Sequence, residues 1–262
     1  MKWTKNSVDL LRDVWRLENK SNILSVFPGR TWRSLRGMAE RIGLNRPKKV
    51  ASQWLGPLPD WLIGEMLSDG CIDRCGRYAH TTKYFQYADF LRKKFGGMGL
   101  GVIVNYDSRI DKRTGNRYSR WLLKTRTVFK RDRDIWYPNG KKSVPYNLKL
   151  SDEAVLHLLI GDGNADKRGS RITVATMGFE RDSILRLVLA ISECGLKASV
   201  FSEGILYFRR TRDNTNSMKR IITSSAIPSC YSYKIDAIMK WCLGGRFSEC
   251  SLKNGDVKAF DL

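Results

Sequence analysis

The chain has 262 residues, 47 of them Lys or Arg and 26 Asp or Glu, for a formal net charge of +21. A hydrophobic fraction of 42% is ample for a packed core, which excludes disorder as the origin of that charge and implies a polyanionic partner for one or two folded domains. The first fifteen residues are charged rather than signal-like and no apolar stretch approaches a bilayer span, so no membrane partner is expected and the chain reads as soluble and intracellular.

In chain order, apolar spacing predicts three helices over 5–17, 21–26 and 31–42, with Trp3, Trp15 and Trp32 placed as core aromatics of a small all-α domain covering residues 1–47. Residues 1–50 hold 12 basic and 4 acidic side chains, a net of +8. The third helix resembles the recognition helix of a Myb-like helix-turn-helix, and that resemblance implies DNA contact through Arg33 and Arg36. A helical extension packed on the main domain is the alternative. Residues 48–58, with Lys48, Lys49 and Pro57, read as a linker.

Beyond the linker one pattern is written twice: an apolar run over 61–70 closing in Asp69 and Gly70, and another over 155–163 closing in Asp162 and Gly163. Pro59 and Asp60 before the first run, and Ser151, Asp152 and Glu153 before the second, are helix-start signals, while each Gly is a stop signal. A carboxylate in the last turn of a helix costs about 0.3–1 kcal/mol against the macrodipole. A cation at the helix ends would offset it. Gly64 and Ser68 are four apart, and Gly161 gives a similar opening, so each helix has a face bare enough for a partner backbone. Packed along those faces, the helices bring Asp69 and Asp162 together at one end, where two like charges resist joint ionisation without a cation.

After the first run the pattern predicts a strand over 76–82, a helix over 85–95, strands over 100–106 and 118–127 and a helix over 129–136. The second run is followed by a strand over 171–176, a helix over 180–194, strands over 197–201 and 205–211 and a helix over 215–224. Asp69 and Asp162 are 93 residues apart, a domain-sized offset.

The two runs resemble the motif of the LAGLIDADG homing endonucleases, with its eighth position at Asp69 and Asp162, over roughly residues 58–238. The chain departs from the motif at its sixth positions, Leu67 and Ile160, and at His157, where the family has a small residue. The resemblance implies an α+β fold of two pseudo-symmetric αββαββα halves, here 59–145 and 146–262, with antiparallel DNA-binding sheets. It further implies Mg²⁺ held by Asp69 and Asp162 with the backbone carbonyls of Ser68 and Gly161, and a basic residue near each metal, assigned to Lys142, with Lys141 a near competitor, and to Lys234. The activity implied is a double-strand break with short 3′ overhangs at a long pseudo-palindromic site in double-stranded DNA. A monomer is expected, encoded in an intron or a free-standing frame.

Period-two alternation places Arg120, Lys124 and Arg126 on one face of their strand, and Arg171, Thr173, Tyr207, Arg209 and Thr211 on the corresponding face of the second half. With Arg77, His80 and Thr82 on the first predicted strand, these are the expected DNA contacts. Six cysteines include no Cys-x-x-Cys pair; Cys71, Cys75 and His80 lack an evident fourth zinc ligand, so free thiols are the better reading. Two other functions fit the same fold: an RNA-binding intron maturase, and a non-cleaving DNA-binding regulator.

Overall fold

The computed structural model describes residues 3–15, 20–44, 54–110, 113–166 and 170–244. The chain divides into two compact units, 1–52 and 53–262. Residues 48–53 of the expected linker, the end of the expected small domain (45–47) and Cys250 lie outside the described residues.

The smaller unit holds α1 (Lys5–Trp15), α2 (Lys20–Val26) and α3 (Trp32–Arg41). Its core is Leu11, Trp15, Ile23, Phe27, Leu35 and Ala39. Trp15 and Trp32 stack at 5.2 Å, which gives so short a chain a large apolar contact. Thr31 starts α3 by accepting the backbone N–H of Ser34, satisfying one of the donors a helix start leaves open.

The larger unit runs α4 (Asp60–Leu67), β1 (Cys71–Ile72), β2 (Tyr78–Thr82), α5 (Phe85–Gly97), β3 (Val102–Ile110), β4 (Arg117–Thr125) and α6 (Lys130–Trp136). It then repeats that order as α7 (Asp152–Asp162), β5 (Gly163–Ala165), β6 (Arg171–Val174), α8 (Arg181–Glu193), β7 (Ala198–Val200), β8 (Leu206–Arg209) and α9 (Arg212–Ile222), and ends in α10 (Ser232–Leu243). Each half contributes a four-stranded antiparallel sheet, ordered β1-β2-β4-β3 and β5-β6-β8-β7. The α+β repeat expected from the sequence is therefore present. Strands β1 and β5 and helix α10 are additions that the periodicity did not indicate. Among the described residues no helix is long and apolar enough to cross a membrane.

Both halves share one apolar core, in which Leu62, Met66, Tyr78 and Phe95 of the first join Leu156, Leu159, Phe208 and Trp241 of the second. At its centre α4 and α7 come so close that their glycines have no room for a side chain. A Cβ on Gly64 would lie 2.3 Å from the carbonyl oxygen of Ala154 and 2.5 Å from the His157 Cβ, and one on Gly161 would lie 2.4 Å from the Ser68 Cβ. No side chain fits there.

Gly64→Ala should therefore destabilise the chain by at least ~1–3 kcal/mol, the usual range for overpacking a tight contact. By contrast Gly96, in the last turn of α5, has nothing among the described residues within 4 Å of its would-be Cβ. Gly96→Ala should be neutral or slightly stabilising by helix propensity. Urea unfolding of both variants checks the pair; equal effects would contradict the close crossing.

Candidate active site at the paired helix ends

Helix α4 stops at Leu67, so Asp69 lies just beyond its cap Ser68 and is exposed, while Asp162 is the final residue of α7 and half-buried. Because Gly161 rests on Ser68, the two carboxylates emerge at the same end of the crossing. Burial and the charge of Asp69 push the Asp162 carboxyl up to about 6. Their mutual repulsion is felt at this end.

Two lysines partly relieve it. Lys142 donates to the carbonyls of Ser68 and Gly70 at 2.8 and 2.7 Å, and Lys234 donates to those of Ile160 and Gly161 at 2.6 Å each. The ammonium groups thus sit on the open carbonyls that end each helix, where the macrodipole favours a cation. Burial lowers the Lys142 ammonium to about 8 against the pull of Cys71, Asp162 and Asp69, and it lowers Lys234 as well. Lys141 faces away from this arrangement, exposed and 3.6 Å from Glu180.

The donor set suits a hard divalent cation: two carboxylates with the backbone carbonyls of Ser68 and Gly161, all oxygen. Among the described residues no group of three or more His, Cys, Asp or Glu comes together for a metal, so any such ion must draw on backbone carbonyls or water for its other ligands. Cys71 and Cys75 are free and exposed, whereas His80 is buried.

The sheet faces turned away from the core carry polar and basic side chains, interspersed on the first sheet with Ala79, Ile103 and Leu122. Across the first sheet, register aligns Ala79, Lys124 and Ile103, then Thr81, Leu122 and Asn105, then Arg120 and Asp107. Across the second it aligns Asn164, Thr173, Tyr207 and Ser199, then Arg171 and Arg209. Arg126 is exposed beyond the end of β4. Arg120 is paired with Asp107 at 2.9 Å, and Arg77 with Asp73 at 2.7 Å, so both are held by local carboxylates. In the smaller unit Arg33 and Arg36 lie on the exposed side of α3.

Three expected DNA contacts are corrected. His80 and Thr82 are buried, because β2 turns Tyr78, His80 and Thr82 inward and leaves Thr81 outside. Thr211 has left the strand, which ends at Arg209; its hydroxyl accepts the Asn214 N–H as the cap of α9. The outward residues Thr81, Asn105 and Ser199 were not singled out from the sequence. Register, which alternation within one strand cannot supply, would have found them.

The sequence reading also missed a buried carboxylate. Glu65 of α4, 1% exposed, is bonded by the hydroxyl of Tyr87, by that of Tyr78 at 3.2 Å and by Nδ1 of His157 at 2.8 Å, with Nδ1 of His80 at 3.0 Å. His157 comes from α7, so this network ties the two halves together directly behind the paired aspartates. Burial alone drives the Glu65 carboxyl upward, but the charges and hydrogen bonds of His80 and His157 more than offset it and hold it well below the usual carboxylate range. The tyrosines Tyr78 and Tyr87 are pushed well up by burial and by the same carboxylate.

The sequence model of the LAGLIDADG DNA endonuclease family matches residues 60–220, and the chain belongs to that family. The uncharacterized protein MJ1098 of Methanocaldococcus jannaschii is 29% identical over 135 residues, 48% of this chain and 51% of its own. The chain thus matches about half the length of that curated relative. The homing endonuclease I-WcaI, solved bound to its DNA recognition sequence, superposes with a TM-score of 0.59 at 17% identity over 83% of this chain and 97% of its own, a likeness of fold. Full-length DUF199/WhiA from Thermatoga maritima superposes with a TM-score of only 0.41 at 10% identity, covering 71% of this chain and 63% of its own.

The depressed pKa of Glu65 fixes the sign of a pH effect. A carboxyl near 4.5 in the unfolded chain and lower in the folded one contributes stability that is present above 4.5 and lost as pH falls through the folded value. Glu65→Gln should cost on the order of 3 kcal/mol at pH 7, because it takes from the buried tyrosine hydroxyls and imidazoles the carboxylate to which they are bonded. Its stability should then fall less steeply than that of the parent between pH 5 and 3. Parallel acid limbs in urea unfolding would show that Glu65 is not held ionised.

Proposed function

We propose that this chain is a sequence-specific DNA endonuclease that makes a metal-dependent double-strand break at a long, pseudo-palindromic site, as in the homing of an intron or mobile gene. The observation that carries the reading is the pairing of Asp69 with Asp162 at one end of the α4–α7 crossing, flanked by two sheets with basic outer faces. Family membership and the fold shared with a DNA-bound homing endonuclease support it.

In this mechanism each sheet lies along one half-site, with Lys124, Arg126, Arg171, Thr173, Tyr207 and Arg209 among the side chains offered to base edges and phosphates. Asp69 and Asp162, with the carbonyls of Ser68 and Gly161, would hold Mg²⁺, which when bound would supply positive charge at the scissile phosphate and make a nearby water a better nucleophile. Lys142 and Lys234 hold the helix ends in place and add positive charge behind the carboxylates, where it offsets the negative charge that develops on each phosphate. Residues 1–47 act as a second DNA-binding module through α3, extending the contact without chemistry. The working species is a monomer, since both motif helices lie in one polypeptide.

One observation favours a second reading, a nucleic-acid binder of the same fold without cleavage, either an RNA-binding maturase or a regulator. Both lysines already satisfy the carbonyls that the metal would draw upon. A plasmid-nicking assay with and without Mg²⁺ separates the two readings.

Asp69→Asn and Asp162→Asn should each abolish double-strand cleavage while DNA affinity stays within a few-fold of the parent, and chelation of divalent metal should stop the parent in the same way. Cleavage by either variant at the parent rate would remove the mechanism. Affinity should also fall steeply with salt, since neutralising on the order of ten phosphates releases a comparable number of counterions. A nearly flat dependence of log K on log salt would contradict the DNA-binding role.

A further inference from the structure

Helix α3 carries a glycine that the small unit itself does not need. Gly37 stands mid-helix, where only proline is a poorer helix former. Helical glycines are often retained because another element packs against them, as Gly64 shows. Gly37 is different: a Cβ built there meets nothing within 4 Å among the described residues.

Its neighbours explain what the opening faces. Residues four apart lie along one ridge of a helix, so Arg33, Gly37 and Arg41 form a line with a cation at each end and a gap between. The buried side of the helix is Leu35 and Ala39, turned away from that line. Arg36 and Glu40, 3.3 Å apart, flank it. The gap opens into a surface cleft of about 470 Å³ that Trp3 and Thr31 also border. Charge at both ends and bare backbone in the middle complement a narrow polyanionic rod.

We infer that the Arg33–Gly37–Arg41 ridge of α3 seats an edge of duplex DNA, with Gly37 the point of closest approach. The inference rests on the reading of residues 1–47 as a DNA-binding module, and it adds the residue that sets how deeply the helix enters. A helix fits the major groove of B-form DNA, whereas that of A-form RNA is too narrow to admit one. Arginines at the ends of the ridge reach phosphates or guanine edges, and the absent side chain lets the helix backbone come within van der Waals distance of the groove wall.

The test compares full-length variants on a random-sequence duplex library and on an RNA hairpin, with thermal unfolding in parallel. Arg33→Ala with Arg41→Ala should weaken duplex binding at low salt, which tests the underlying module. Gly37→Ala should leave the unfolding midpoint unchanged or raised, yet weaken duplex binding on the order of tenfold, and Gly37→Leu should weaken it further. If the arginine variant binds duplex as the parent does, the module reading itself fails. If the arginine variant is weakened but the Gly37 series is not, only the close approach fails. Loss of stability in Gly37→Ala would mean the glycine serves the fold, and Gly37-dependent binding of the RNA hairpin as tight as that of duplex DNA would overturn the choice of partner.

Discussion

The larger unit depends on two helices that touch backbone to side-chain root. At Gly64 the first motif helix meets the Ala154 carbonyl and His157, and at Gly161 the second meets Ser68. This contact sets where the carboxylates emerge and places both halves in one core. A crossing so close cannot slide or rotate without collision, since interiors packed at this density shift between discrete arrangements rather than deform. The spacing between the two sheets, and with it the separation of any two half-sites they read, is set by the same pair of glycines.

Behind that contact lies a buried charge, that of Glu65. Such a group is expensive to bury, and it survives here because imidazole and phenol groups from both halves surround it: His80, Tyr78 and Tyr87 from the first, His157 from the second. The network also explains the departure of His157 from the family pattern. Gly64 makes room for the imidazole, the ring stacks on Phe90 at 6.0 Å, and its Nδ1 meets Glu65. The large residue and the missing side chain compensate each other, which favours this pairing of α4 with α7 over any self-pairing of either helix.

The sequence was most legible where periodicity is long and least where partners are distant. Helices α5 and α8, of thirteen residues each, and the long strands β3 and β4 carry several periods of apolar spacing. β1 and β5, of two and three residues, carry too little of one to register. The face of β2 was read outside in because His80 and Thr82 are polar, and polarity normally marks the wet side of a strand. What inverted it was Glu65, fifteen residues upstream of His80, which needed a partner inside the core. Similarly, Asp69 and Asp162 were visible as a repeat, whereas the seating of Lys142 and Lys234 on the helix-end carbonyls depends on contacts more than seventy residues apart in the chain.

The paired helix ends bring like charges together. Two helix C-termini and two carboxylates converge there, and two lysines already pulled down by burial oppose them. In isolation this arrangement opposes folding, since each carboxylate raises the energy of ionising the other. The glycine contact and the Glu65 network, both set deeper in the crossing, hold it together regardless. The unmet demand for positive charge is then directed outward, between two sheets whose outer faces are basic. A polyanion drawn onto those faces brings still more negative charge to the helix ends. Under the proposed function, a divalent cation held by the carboxylates would offset negative charge from both, and the repulsion left in the free protein would favour the bound state.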